Sequence, residues 1–346
     1  MTAGVWYRPI PLDGEPWPED APPLAGGWGR FAFVAEHRRG AAPRLIPARE
    51  VPPEALALLT GPRAPICGLA LDQPRIMGIL NVTPDSFSDG GRFAGPAEAV
   101  AAARALVAAG AEILDIGGES TRPGAEPVGE AEEIDRVVPV IAALRAAGVA
   151  TAISVDTRKA AVARAAFAAG ADLFNDVSAL GHDPESLAAA AELGGPVCLM
   201  HALGDPRTMQ DAPRYDDVLL DVADYLEARV KAVEAAGIPR SRILVDPGIG
   251  FGKTVEQNLA LLRGLALLHG TGCAILLGVS RKRFIGEIAR VADPRARMPG
   301  SVAAALGGLR SGAQVIRVHD VAETRQAVAL WRALDRGARD TEQGGQ

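Results

Sequence analysis

Charged, amide or imidazole side chains close nearly every short apolar run between residues 75 and 320. They are Asn81, Asp115, Asp156, Asn175, His201, Asp246 and the pair Arg317 and His319. Taken singly, an Asp or Asn in such a place reads as a turn cap. Their recurrence at almost every edge argues instead for one shared polar surface. Arg317 and His319 are two apart, so on a strand both point the same way and can grip one anion. Ser280, Arg281, Lys282 and Arg283 follow another apolar run; three adjacent cations repel unless an anion or carboxylates balance them, the alternative being an exposed basic turn. Residues 81–91 form a polar stretch dense in hydroxyl and carboxylate oxygens, suited to a lid. Residues 117–124 open on two glycines, which let backbone approach a ligand, and carry Arg122, which can clamp an anion or lie in solvent. Residues 246–253 join a carboxylate, glycines and Lys253 but lack the spacing of a nucleotide phosphate loop. Phe251, between glycines, either lies against an aromatic ring or belongs to the core.

These groups need a frame that brings chain-distant edges together. The apolar runs 75–81, 112–116, 152–156, 172–176, 197–201, 242–246, 274–278 and 314–318 read as strands. Between them lie Ala-rich helical stretches such as 97–109, several closed by a glycine, among them Gly110, Gly148, Gly170 and Gly312. Strict alternation of strands and helices predicts parallel strands. Eight such units, with no GxGxxG after the first strand, favour an α/β fold of the (β/α)8 TIM-barrel type over an open doubly wound sheet. In such a barrel all strand C-termini share one face, and the loops after the seventh and eighth strands are a frequent phosphate site. The expected organisation is an N-terminal extension, 1–72, then the barrel, 73–338, then a tail, 339–346. The extension carries Trp6, Trp17 and Trp28 and many prolines, so it is expected to pack on the barrel; its role is not readable.

Composition narrows the function. Apolar residues make up 48% of 346, enough for a large core, whereas aromatics are only 4%, so the core must be aliphatic. A net charge of −6 argues against nucleic acid as partner. No run is long enough to span a membrane and residues 1–30 do not read as a signal peptide. Cys67, Cys198 and Cys273 lack metal-ligand spacing and suit reduced thiols in a cytoplasmic protein.

Residues 81–91 and 115–124 resemble the two signatures of the dihydropteroate synthases. The segments 154–157, 175–176, 246–253, 280–282 and 317–320 match further motifs of that family in order, so the resemblance covers 75–336. It implies condensation of 6-hydroxymethyl-7,8-dihydropterin pyrophosphate with p-aminobenzoate to give 7,8-dihydropteroate and pyrophosphate. By the same resemblance, Asp156, Asn175 and Asp246 would bind the pterin, with Lys282 beside it. Asn81, Arg317 and His319 would hold the pyrophosphate, Asn81 also near a Mg2+ ion. Thr121, Arg122 and Pro123, with Phe251 and Lys282, would shape the p-aminobenzoate site, and Asp89 would secure the closed arrangement. The catalytic set is then Asp89, Arg122, Lys282, Arg317 and His319. The resemblance further implies a homodimer, for which the Ala-rich stretch 299–311 offers a flat contact, and a sulfonamide target.

The chain departs from the family pattern at Arg283, where many members carry serine, which bears on the benzoate carboxylate and on sulfonamides. Two competing expectations are a pterin-binding methyltransferase domain, which would not need a pyrophosphate clamp, and a pterin-binding paralogue without turnover.

Overall fold

The structure, a computed structural model, describes residues 4–82, 96–120, 126–204, 209 and 213–336. Near the N-terminus, β-rich segments broken by proline form a small antiparallel sheet of β1 (Val5–Pro11), β2 (Phe31–Arg38) and β3 (Arg44–Pro47), ordered as numbered. Helix α1 (Pro53–Thr60) follows; its opening proline lacks only an N–H that the first turn would leave unpaired. Tyr7, Phe31, Val34, Ile46 and Leu59 make a separate small core there. Two tryptophans fasten this unit to the outside of the remaining chain. Trp6 Nε1 donates to Asp224 Oδ1 at 2.7 Å, and Trp28 Nε1 donates to the Leu309 carbonyl at 3.0 Å. Arg39 adds ion pairs to Asp221 and Asp224, each at 2.6 Å.

From residue 75 strands and helices alternate: β4 (Arg75–Asn81), α2 (Pro96–Ala108), β5 (Ile113–Gly117), α3 (Glu130–Ala146), β6 (Ala152–Asp156), α4 (Ala160–Ala168), β7 (Leu173–Asp176), α5 (Ser186–Leu193) and β8 (Val197–Met200). Then come α6 (Val218–Ala235), β9 (Ile243–Asp246), α7 (Val255–Gly264), β10 (Ala274–Gly278), α8 (Arg283–Ala289), α9 (Met298–Arg310), β11 (Val315–Val318) and α10 (Val321–Arg336). The strands β4 to β11 pair in parallel and close into a barrel, as the alternation required. Each lies within one residue of its expected run.

Side chains alternate cleanly across the barrel wall, the period-two consequence of strand geometry. Ile76, Leu114, Ile153, Phe174, Leu199, Val245, Leu277 and Ile316 point outward and pack under the helices. Met77, Ile113, Leu173, Cys198, Leu244, Leu276 and Val315 point inward and plug the lower barrel. The same inward parity continues upward through Asn81, Asp115, Asp156, Asn175, Asp246 and Arg317. The lower interior is thus apolar and the upper interior polar. No helix among the described residues is long and apolar enough to cross a membrane. The three cysteines are free thiols.

Candidate active site at the barrel mouth

The strand ladder sets the polar groups side by side. Asn81 stands opposite Gly117, Gly117 opposite Asp156, and Asp156 opposite Asn175. On the far side, Gly278 stands opposite Arg317. Gly117 and Gly278 share the inward parity, so the wall lacks a side chain at two places. A Cβ on Gly278 would lie 3.7 Å from Asp246 Oδ2, and one on Gly117 3.5 Å from Asp156 Cβ. These two gaps leave a slot bordered by carboxylates.

Arg317 is drawn into that slot. Its Nε donates to Asp115 Oδ2 at 2.6 Å and its Nη2 to Asp156 Oδ2 at 2.8 Å. Burial works against its charge, but Asp115 and Asp156 outweigh it and hold its pKa above the ordinary value. Asp115 is fully buried and also faces the Asn175 amide, whose Nδ2 lies 3.3 and 3.4 Å from its two oxygens. The amide nitrogen is thereby committed to Asp115, which leaves Oδ1 for the slot. Burial raises the Asp156 carboxyl to about 7, against the nearby Arg317, while Asp115 pushes the same way as burial. Asp246 is likewise raised by burial, with Lys282 opposing; its Oδ1 accepts from the Gly248 N–H at 2.7 Å.

Lys282 sits just ahead of α8, in the loop after β10, the strand beside that of Arg317. Its Nζ donates to the Ile249 carbonyl and lies 4.5 Å from the centre of the Phe251 ring. Burial lowers its pKa to about 8, with Asp246 resisting. His319 is fixed through Ser280, whose Oγ accepts from the His319 backbone N–H at 3.1 Å and lies 3.0 Å from Nδ1. The structure therefore gathers Asn81, Asp156, Asn175, Asp246, Phe251, Lys282, Arg317 and His319 at one end of the barrel. Asp89, Thr121, Arg122 and Pro123 lie outside the described residues.

Three findings correct or complete the sequence reading. His201 is not a mouth residue: it follows the outward parity of Leu199, is buried, and sits edge-on to Tyr225 at 4.9 Å between ring centres. Lys253, which the sequence left without a role, turns inward beneath its own loop, 3% exposed. Arg283 extends along α8 to Glu287, an i,i+4 pair at 2.5 Å, and is 80% exposed. The reading also left Asp115 without a role. A second buried cluster escaped notice: Glu119 accepts from Arg158 at 2.9 Å, from Lys159 at 2.8 Å and from the Val128 N–H at 3.3 Å. That one carboxylate ties both feet of the segment after β5 to the loop that follows Asp156. Its only trace in sequence is the polar neighbourhood of Glu119 and Arg158 after adjacent strands.

Chemically, the slot offers acceptors from Asp156, Asn175 and Asp246, and cations from Lys282 and Arg317. That is a receptor for a flat heterocycle with several N–H donors, linked to an anion. The chain is similar to known proteins over the same region. Residues 77–319 match the family described as pterin binding enzyme. Dihydropteroate synthase from Escherichia coli K12 is 48% identical over 265 residues, covering 77% of this chain and 93% of that protein. The one from Neisseria meningitidis serogroup B is 50% identical over 273 residues, 77% and 94% of the two chains. The solved structure of Xanthomonas albilineans dihydropteroate synthase with 4-aminobenzoic acid is 50% identical, with a TM-score of 0.74 over 79% of this chain and 98% of that one. On the motifs, the barrel and these likenesses, the chain belongs to the dihydropteroate synthase family of pterin-binding enzymes.

Proposed function

We propose that the chain condenses 6-hydroxymethyl-7,8-dihydropterin pyrophosphate with p-aminobenzoate, giving 7,8-dihydropteroate and pyrophosphate, and so acts as a transferase of folate synthesis. The observation that carries this is the acceptor-lined slot of Asp156, Asn175 and Asp246 with Lys282 and Arg317 at its rim. A related structure, from Xanthomonas albilineans, is in complex with 7,8-dihydropteroate, at 47% identity and a TM-score of 0.71.

In this reading the pterin ring enters the gap left by Gly117 and Gly278. Its aminopyrimidinone N–H groups donate to Asp156, Asn175 Oδ1 and Asp246, with charge assistance from the carboxylates. The pterin methylene carbon then faces the rim, with the diphosphate toward Arg317 and His319. The bond from that carbon to the diphosphate oxygen breaks with its electron pair on oxygen, where Arg317 and His319 stabilise the growing charge. The arylamine nitrogen gives its lone pair to the same carbon and loses one proton. Phe251 and Lys282 orient the arylamine, with Thr121, Arg122, Pro123 and Asp89 completing the closed site. No nucleophilic side chain is needed, so positioning and electrostatics do the work.

A Mg2+ ion fits this chemistry. Among the described residues no three His, Cys, Asp or Glu side chains gather as a metal cage. Mg2+ commonly takes one or two protein oxygens and fills its shell with phosphate oxygens and water. Asn81, at the end of β4 beside the slot, would supply the protein oxygen, and the ion would supply charge neutralisation on the diphosphate. The site roles, the ion, a homodimer, a cytoplasmic location and a sulfonamide-binding arylamine pocket are parts of the same reading. Free Cys67, Cys198 and Cys273 support the location, and the exposed Leu330 and Leu334, one turn apart on α10, support a second copy.

The test is pyrophosphate release from the pterin pyrophosphate with Mg2+, with and without p-aminobenzoate. Release that depends on both organic substrates supports the synthase. Binding of the pterin without release would make the chain a pterin-binding protein only.

A further inference from the structure

Lys253 closes the glycine-rich segment after β9, yet its ammonium never reaches the mouth. Its Nζ lies 2.9 Å from the Gly248 carbonyl, 2.9 Å from the Phe251 carbonyl, 3.2 Å from the His201 carbonyl and 3.0 Å from His201 Nδ1. An ammonium has three N–H donors, so three carbonyls and one ring nitrogen already exceed what it can serve. Burial, and then Lys253 itself, lower the His201 imidazole to about 3, so the ring is neutral and its Nδ1 can accept.

The backbone around Lys253 is built for this convergence. Gly248, Gly250 and Gly252 all have positive φ, at +65°, +84° and +62°. A Cβ at Gly248 would lie 1.8 Å from the His201 carbonyl oxygen, and one at Gly252 2.7 Å from that of Leu203. The loop is thus pressed against the chain leaving β8, with carbonyls from both segments turned to one point. Carbonyl dipoles aimed together repel unless a donor lies among them, and Lys253 Nζ, its pKa lowered by burial and by Lys282 with Asp246 opposing, is that donor.

What the loop carries outward is the arylamine end of the site. Phe251, whose carbonyl Lys253 holds, presents its ring 4.5 Å from Lys282 Nζ. Ile249, one residue beyond the held Gly248 carbonyl, accepts from Lys282 Nζ. The pterin groups depend on this loop less, since Asp156 and Asn175 stand on β6 and β7 and Asp246 ends β9, all set by the strand ladder, with only the Gly248 N–H bond to Asp246 coming from the loop.

We propose that Lys253 is a positioning residue for the arylamine: its buried Nζ gathers the His201, Gly248 and Phe251 carbonyls and so orients Phe251 and Lys282 without touching either substrate. The proposal rests on the synthase reading for its kinetic consequence, but not for the order of the loop.

The experiment pairs the full-length wild type with Lys253→Met, and with Lys253→Gln in case the first does not fold. Amide hydrogen exchange of residues 247–253 is followed alongside steady-state kinetics. Expected are at least tenfold faster exchange at the Phe251 and Gly250 amides and at least a tenfold rise in KM for p-aminobenzoate. The KM for the pterin pyrophosphate should change by less than threefold. Unchanged exchange overturns the proposal. Faster exchange with an unchanged arylamine KM, or with both KM values raised equally, overturns the positioning role and leaves a packing residue. If wild type shows no arylamine-dependent release of pyrophosphate, the synthase reading fails and the arylamine role fails with it, while exchange alone decides whether Lys253 orders the loop.

Discussion

Arg317 Nε donates to Asp115 Oδ2 across 2.6 Å, joining the last strand of the barrel to its second. The two positions are 202 residues apart, and Arg317 reaches Asp115 by crossing β4, which lies between their strands. Asp115 in turn fixes the Asn175 amide. One fully buried carboxylate therefore sets both a cation at the rim and the polarity of an amide in the slot. Asp115→Asn should remove the acceptor-only partner and let the Asn175 amide turn over. The expected results are a fall in pterin affinity of at least tenfold, about 1.4 kcal/mol, and a loss of stability of about 3 kcal/mol, the low end for breaking a buried pair because Asp156 still faces Arg317. Titration calorimetry and denaturant unfolding measure the two; pterin affinity within twofold of wild type would remove Asp115 from the design.

Arg317 has two possible duties, since it lies on Asp156 here and is assigned to the diphosphate when substrate is bound. Arg317→Ala separates them. If it grips the leaving group, the variant binds the pyrophosphate-bearing pterin far more weakly than wild type while the bare hydroxymethyl pterin loses little. Equal losses for both ligands would mean that it acts only by organising Asp115 and Asp156.

Much of this frame was legible in the chain. Strands buried on both faces read as aliphatic runs, which is why β4 to β11 fall within a residue of their expected places. The inward set was legible too, because a period of two assigns Asp115, Asp156, Asn175, Asp246 and Arg317 to the interior once one inward residue is known. The same parity would have excluded His201, which shares the outward face of Leu199. The place of Lys253 was not legible for a different reason. Three glycines in left-handed geometry reverse the loop, and no strand periodicity extends through such a turn. In the extension, prolines and short strands gave no helix or strand rhythm, and only the tryptophans hinted at docking. The Glu119 cluster was hidden because its partners come from three separate segments, so no local spacing marks it.

The titrations of Asp156 and Lys282 predict the pH profile. Asp156, raised to about 7, must lose its proton to accept from the pterin, so kcat/KM for the pterin should climb through neutrality. Lys282, lowered to about 8, loses its charge above that pH, giving a descending limb. The two groups interact, so the limbs report the pair rather than single sites. Asp156→Asn should flatten the ascending limb and Lys282→Met the descending one; limbs that survive both changes belong to other groups. Stability moves oppositely for Asp156. The folded state holds its proton more tightly than the unfolded chain, so this contribution is full below about 4 and is lost as pH rises to about 7.

Trp6 tests how firmly the N-terminal unit is held. Its ring is 4% exposed and lies so close to Gly270 that a Cβ there would come within 2.9 Å of it, while Nε1 donates to Asp224. Trp6→Ala removes the ring and the bond together and should cost about 3–5 kcal/mol. The affected surface is the outer wall at Gly270 and α6, remote in sequence and parity from the mouth. Thermal unfolding should shift down while KM for both substrates stays within twofold; a change in either KM would tie the extension to catalysis.

Gly278 gives a direct test of the slot. It stands in the ladder beside Arg317, faces inward, and does not have a positive φ, so a side chain there carries no backbone penalty. A Cβ would meet Asp246 Oδ2 at 3.7 Å and Arg317 Cβ at 4.0 Å, ordinary contact distances. The Cβ itself therefore fits, and the two further methyls of Gly278→Val would reach into the gap into which a flat ring must slide. Apolar overpacking costs about 1–3 kcal/mol where no room exists, so melting within a few degrees of wild type shows that room is present. The expected outcome is that near-normal melting combined with a loss of pterin binding of at least a hundredfold. Full pterin binding by the valine variant would place the heterocycle elsewhere on the barrel face and remove the slot from the reaction.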